Sequence, residues 1–97
     1  MKLFKDKDLT VEVSILDLGI LEAGQTQQYT FWVYNDTKAY LKDLEFIIDH
    51  AEIKIIESPK ELESHGIGEL RFSWSPIITI KEGLKAPLKI KAREQWG

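Results

Sequence analysis

Val11, Val13 and Ile15 alternate with Glu12, Ser14 and Leu16, the period of two that places one row of side chains on each face of a sheet. The pattern predicts a first strand. After a turn through Gly24, the run from Gln27 to Asn35 sets Tyr29, Phe31 and Val33 on one face and Thr30, Trp32 and Tyr34 on the other. Aromatic and β-branched side chains fit a pleated surface better than a helix, which restricts their rotamers. A second strand is therefore expected, with large rings on both faces. One face belongs to a core, and Trp32 and Tyr34 need a second cover from a loop, a terminus or a partner. Asn35-Asp36-Thr37 ends the strand as a turn, because Asn and Asp tolerate left-handed backbone and bond their own main chain. The triplet also spells an N-glycosylation acceptor, and without a secretory signal the turn reading is preferred.

The segment from Tyr40 to Ile56 carries two periods at once. Leu41, Leu44, Ile48, Ala51 and Ile55 recur at helical spacing, whereas Leu44, Phe46 and Ile48, then Ile53 and Ile55, make two short strands around Asp49-His50-Ala51-Glu52. The β-branched content and the neighbouring strands favour two strands, with a helix as the competitor. Pro59 ends the segment under either reading. A polar loop with Gly66 and Gly68 leads to Leu70, Phe72 and Trp74, which alternate with Glu69, Arg71, Ser73 and Ser75. Beyond Pro76, Ile77-Ile78-Thr79-Ile80 reads as a strand or an extended connection.

The clearest alternation comes last. Leu84, Ala86, Leu88, Ile90 and Ala92 form one row and Lys85, Pro87, Lys89, Lys91 and Arg93 the other. Pro87 lacks an N–H, which suits an edge strand or a strand start, and exposed charge on an edge discourages pairing with other chains. Six or seven short strands spaced roughly 8–12 residues apart by turn signals describe an antiparallel β-sandwich, with a barrel as second choice.

With 97 residues the chain makes one domain, expected as an N-terminal arm over 1–9, a sandwich over 10–93 and a tail over 94–97. There is no cysteine, so neither disulfides nor a thiolate zinc site contributes to stability. Met1 to Thr10 alternates charge with apolar residues and lacks the apolar run of a signal peptide. No later run reaches the roughly 20 residues of a membrane span. A protein made in a cytoplasm, or carried in a virion, is expected, with no membrane partner. The net charge of −3 hides a split. Residues 43–70 hold eight acids against two bases and residues 71–97 six bases against two acids, while nucleic-acid binders are usually basic overall, so no nucleic-acid partner is expected.

A family pattern accompanies these strands. Leu18-Gly19, Gly24-Gln25-Thr26, Phe31, Val33, Asn35 and Leu44, followed by Pro59, Gly68, Leu70, Phe72, Trp74 and Pro76 and the closing Ala86-Pro87-Leu88-Lys89-Ile90-Lys91-Ala92, resemble immunoglobulin-like modules of the abnormal-spindle, hydin and major-sperm-protein type. Asn35-Asp36-Thr37 stands where that family usually has Asn-Thr-Gly. Small immunoglobulin-like accessory proteins of phage capsids and tails are also similar. The resemblance implies an all-β, immunoglobulin-like antiparallel β-sandwich of about seven strands and a structural role, in an assembly such as a phage virion.

The chemistry-bearing residues are sparse. His50 lies beside Asp49 and Glu52, and His65 beside Ser64 and Glu63, but strand neighbours point to opposite faces and metal ligands must converge. Ser64-His65 is the one adjacent Ser-His pair, and sequence neighbours seldom have the geometry of an activated nucleophile. No phosphate-cradling glycine motif occurs. The expectation is a protein that is not an enzyme and uses no cofactor and no metal. Docking by Phe4, Trp32, Tyr34 and Trp96, oriented by Lys89, Lys91 and Arg93, would join it to protein partners or to copies of itself. The alternative is a carbohydrate-binding sandwich in which Trp32, Tyr34 and Tyr40 stack on a glycan, Trp74 being assigned to the core.

Overall fold

The computed structural model describes residues 1–96, so the final residue of the expected tail lies outside the described residues. Nine strands follow in chain order: β1 (Lys2–Phe4), β2 (Glu12–Val13), β3 (Leu16–Gly19), β4 (Gln27–Tyr34), β5 (Tyr40–Ile48), β6 (Ile53–Glu57), β7 (Ile67–Trp74), β8 (Leu84–Ala86) and β9 (Leu88–Gln95). Helix is absent among the described residues. All pairings are antiparallel. One sheet has the order β2-β1-β4-β7-β6; β3 pairs with β8, and β5 with β9.

The ambiguous middle segment resolves into β5 and β6. Its β-branched and aromatic residues find ladders on β9 and β7, and tertiary pairing of this kind overrides a fortuitous helical spacing. Residues Lys2–Phe4 of the expected arm form β1, where Leu3 and Phe4 stand opposite Val33 and Trp32 in the central ladder. The first strand expected over 11–16 is broken into β2 and β3. Of the two readings of Ile77–Ile80, the connection holds. The Ile77 N–H donates to Glu52 and the Ala23 N–H to Thr79, so these groups have no ladder to join.

The core lies between the layers. Leu16, Val33, Leu70, Phe72 and Trp74 are fully buried, and Phe72 stacks on Tyr29 and Phe31 at centroid distances of 5.5 and 5.8 Å. Burying each such side chain contributes roughly 1.5–3 kcal/mol, which is what a domain without cross-links relies on. The Leu3, Phe31, Phe46, Leu62 and Leu84 side chains join the same cluster, so every sheet supplies part of it.

Two glycines are dictated by close approach. A Cβ on Gly68 would lie 2.7 Å from the Pro59 ring, and one on Gly83, where φ is +81°, would lie 3.0 Å from the Gly19 carbonyl. At Asp43, φ is +53°, within the bulge that shifts the β5–β9 register between Lys42 and Glu45.

Candidate functional site

On the outer face of β4 the aromatic row begins as expected and then acquires its cover locally. Phe4 is Trp32's cross-strand neighbour and is itself buried, so it packs within the domain and offers no projecting anchor. The Lys7 ammonium lies 5.6 Å from the Trp32 ring centroid, held there by the 5–11 loop. That loop is closed by Asp6, whose carboxylate accepts the Thr10 and Val11 N–H groups and the Thr10 hydroxyl. The Thr10 hydroxyl bond first, then the Val11 N–H, holds the Asp6 carboxyl below its ordinary pKa. Tyr34 donates to or accepts from His65 Nδ1 at 2.9 Å, and its ring tilts against the imidazole. Trp32 and Tyr34 remain half-buried.

The turn after β4 is more deeply built than the sequence suggests. Asn35 is fully buried. Its Nδ2 donates to the carbonyls of Ala39, Leu62 and Glu63 at 2.9, 3.1 and 2.9 Å, and its Oδ1 accepts from the Thr37 N–H and hydroxyl. The side chain thereby ties the 35–39 turn to the 62–63 loop. A nitrogen committed to three carbonyls is not presented to a glycosylating enzyme, so the acceptor reading of this triplet fails in the folded chain. Asp36 is 2.9 Å from the N-terminal amine of Met1, a hydrogen bond that lowers its pKa.

Neither His-carboxylate pair forms a reactive constellation. The Ser64 hydroxyl donates to the Thr37 carbonyl at 2.7 Å while the His65 ring bonds Tyr34, so neighbours in sequence serve different partners. At the other end, His50 Nε2 lies 3.8 Å from Glu52 Oε1. Glu52 takes the Ile77 N–H at 2.7 Å and the Trp74 indole N–H at 3.4 Å, and the Ile77 bond is the first cause of its lowered pKa. Its work is to pin the 75–80 loop. Among the described residues no three His, Cys, Asp or Glu side chains converge on a metal-sized site.

The basic strand and the exposed rings lie elsewhere. Lys89, Lys91 and Arg93 are all exposed on β9. Antiparallel pairing with β5 places Glu45 opposite Lys91 and Asp43 Oδ2 3.2 Å from Arg93, so the acidic and basic halves of the sequence interleave along this ladder instead of forming two separate faces. Trp96 follows β9 and is 66% exposed, with its indole N–H on Glu94 at 3.1 Å. A second apolar surface went unnoticed in the sequence. Ile77 and Ile78 are 79% and 72% exposed, and Ile20 is exposed with them; the Gly24 N–H to Pro76 carbonyl bond holds their two loops together. Three isoleucines in the four residues after Pro76 were the available signal, but the same letters also fit a buried strand.

A cleft of about 620 Å³ is lined by Lys38, Tyr40, Lys42, Glu61, Ser64 and Gln95. A hydrogen bond to the Glu61 carboxylate is the first cause that pushes the Tyr40 phenol above its ordinary pKa, with burial and the nearby acids adding to it. Trp32 and Tyr34 belong to the five-stranded sheet and Tyr40 to the β5–β9 pair, so the three rings named for a glycan platform do not share one sheet. These features define the class as an antiparallel all-β sandwich bearing exposed apolar and basic surface. No protein-family model, curated protein or solved structure matches the chain.

Proposed function

We infer that the chain is a non-catalytic structural and interaction module on an immunoglobulin-like sandwich, one subunit of a larger assembly, with capsid decoration or tail attachment in a phage particle as its setting. The observation that carries this reading is Trp96, held 66% exposed at the end of a strand whose outward row is Lys89, Lys91 and Arg93. An indole in water gains most when a partner buries it, and tryptophan dominates protein interfaces for that reason. The flanking cations steer an acidic partner and set its orientation. Trp32 and Tyr34, half-covered by Lys7 and His65, serve as a second, weaker contact, with Phe4 beside Trp32 on the same face.

Detection of the chain in purified particles of the phage that encodes it, at stoichiometry matching a structural protein and lost with Trp96→Ala, is the expected result. A chain found only in the soluble lysate refutes the assembly role. The Tyr40 cleft favours one second reading, a glycan site, since a ring framed by Lys38, Lys42, Glu61 and Gln95 offers both stacking and hydrogen bonds to a sugar. Saturable binding of polysaccharides that Tyr40→Ala abolishes would support it, and no response to any glycan would remove it.

A further inference from the structure

Along the last strands the inward apolar row loses its cover step by step. Leu84 and Ala86 are buried, Leu88 and Ile90 are half-buried, and Ala92 is exposed. The alternation does not change; the neighbour does. Over Leu84–Ala86 the chain is flanked by β3, whose ladder ends at Leu16 opposite Ala86. From Leu88 onward, β5 is the single strand partner of β9 among the described residues, and no backbone hydrogen bond outside that ladder involves residues 88–95. One edge of an eight-residue strand is therefore unpaired. Beside it lies a cleft of about 280 Å³, with Leu88 and Ile90 from β9 facing Met1, Leu3 and Val13, and with Lys2, Glu12 and Ser14 also lining it.

The remaining edges are blunted in the ways that natural sheets use. β2 has two residues, β8 three and β3 four, too short to template a long partner. β6 is bulged between Ile55 and Glu57. The outer side of β5 is capped by the loop that follows β6, through the reciprocal Leu41–Leu62 bonds and the Leu44 N–H to Lys60 carbonyl bond. Among the described residues, β9 alone presents an eight-residue edge next to a cleft with apolar side chains in its lining. Its exposed lysines discourage indiscriminate pairing, yet they also specify what would pair well.

We propose that the unpaired edge of β9 accepts an added strand, an extended segment of a protein partner that alternates apolar and acidic side chains. The proposal deepens the interaction role inferred above and rests on it. The apolar side chains of the added strand enter the cleft against Leu88, Ile90, Leu3 and Val13 and cover Ala92. Its acidic side chains stand opposite Lys89, Lys91 and Arg93. Acids already meet part of this basic row: β3 sets Asp17 opposite Lys85, β5 sets Glu45 opposite Lys91, and Arg93, directly opposite Lys42, reaches Asp43 at 3.2 Å. A second copy paired β9 to β9 would put lysine against lysine, which is unfavourable for directly opposed like charges. Backbone bonds supply affinity in such strand addition, and the alternating pockets supply selectivity.

The test uses the full chain labelled with nitrogen-15 and two eight-residue probes, one alternating valine with glutamate and one alternating valine with lysine. The expected result is that the glutamate probe binds and slows amide exchange selectively within 88–95, that the lysine probe binds at least ten-fold more weakly, and that Lys89→Glu/Lys91→Glu reverses the preference. These exposed positions leave folding intact, which the dispersion of the core amide signals verifies. Equal binding of both probes, protection outside β9, or no binding at all overturns strand addition. Concentration-dependent self-association with the same protection pattern overturns the choice of partner in favour of a second copy. If particles still incorporate the Lys89→Glu/Lys91→Glu chain, the edge proposal fails while the assembly role stands; if the wild-type chain is absent from particles yet binds the glutamate probe, the reverse holds.

Discussion

Replacing Asn35 with alanine removes five hydrogen bonds from a fully buried side chain. The loss is less than five full bonds, because all three carbonyls keep another donor: Leu62 accepts the Leu41 N–H, Glu63 the Gly66 N–H and Ala39 the Thr37 hydroxyl. At a net value of about 1 kcal/mol per bond, discounted for those three, destabilisation is about 2 kcal/mol. With a urea dependence of about 1.5 kcal/mol per molar, the unfolding midpoint falls by about 1.3 M. Asn35→Asp is the sharper variant, since it keeps the shape and turns a carboxylate oxygen towards three carbonyl oxygens. Repulsion raises the folded-state pKa of the new acid above its unfolded value, so between the two values the folded state binds more protons. The deficit relative to wild type is then largest at neutral pH and shrinks as pH falls through the folded pKa towards the unfolded one. Urea titrations at pH 7, 6, 5 and 4, with wild type run in parallel, read this directly. A difference that is flat across that range, or an alanine variant within about 0.5 kcal/mol of wild type, the scale of an ordinary surface change, would show that the 35–39 turn does not depend on this side chain.

Other expectations follow from single contacts. Gly68→Ala drives a methyl group into the rigid Pro59 ring at 2.7 Å and should cost about 1–3 kcal/mol, seen as a lowered thermal midpoint. Because Glu52 has a depressed pKa, caused first by the Ile77 N–H, its hold on the 75–80 loop is complete above the unfolded carboxylate pKa and is lost as pH falls through the folded one. The Ile77 amide resonance should follow that titration, and Glu52→Gln should remove the dependence. Phe72→Ala empties the middle of the Tyr29–Phe72–Phe31 stack and should cost about 3–5 kcal/mol in chemical denaturation. Asp6→Ala unties the loop carrying Lys7, and acrylamide should then quench Trp32 more strongly in a chain that also carries Trp96→Phe.

The strands that were plain in the sequence were those with one wet face. In β7, Leu70, Phe72 and Trp74 are buried while Arg71 and Ser73 are half-exposed, and the alternation of letters reports that difference directly. β5 was ambiguous because its Asp43 bulge breaks the period of two, leaving apolar residues at spacings a helix would also use. β1 was hidden because three residues are too few to show a period, and its membership depends on what β4 offers at Val33 and Trp32. Of the candidate site residues, Trp96, Lys89, Lys91 and Arg93 stand exposed, whereas Phe4 is buried by pairing that no local pattern records.

The sequence alone determined that the chain is built from extended segments and where most of them turn, because period and turn chemistry are local properties of neighbouring residues. Tertiary structure decided which strands meet, and with that everything about surface and exposure. It placed the acids of β5 beside the bases of β9, buried Asn35 among carbonyls from two loops, and left Ala92 uncovered at the end of an apolar row whose first members are buried. Such facts depend on residues far apart in the chain, and no short stretch of sequence carries them.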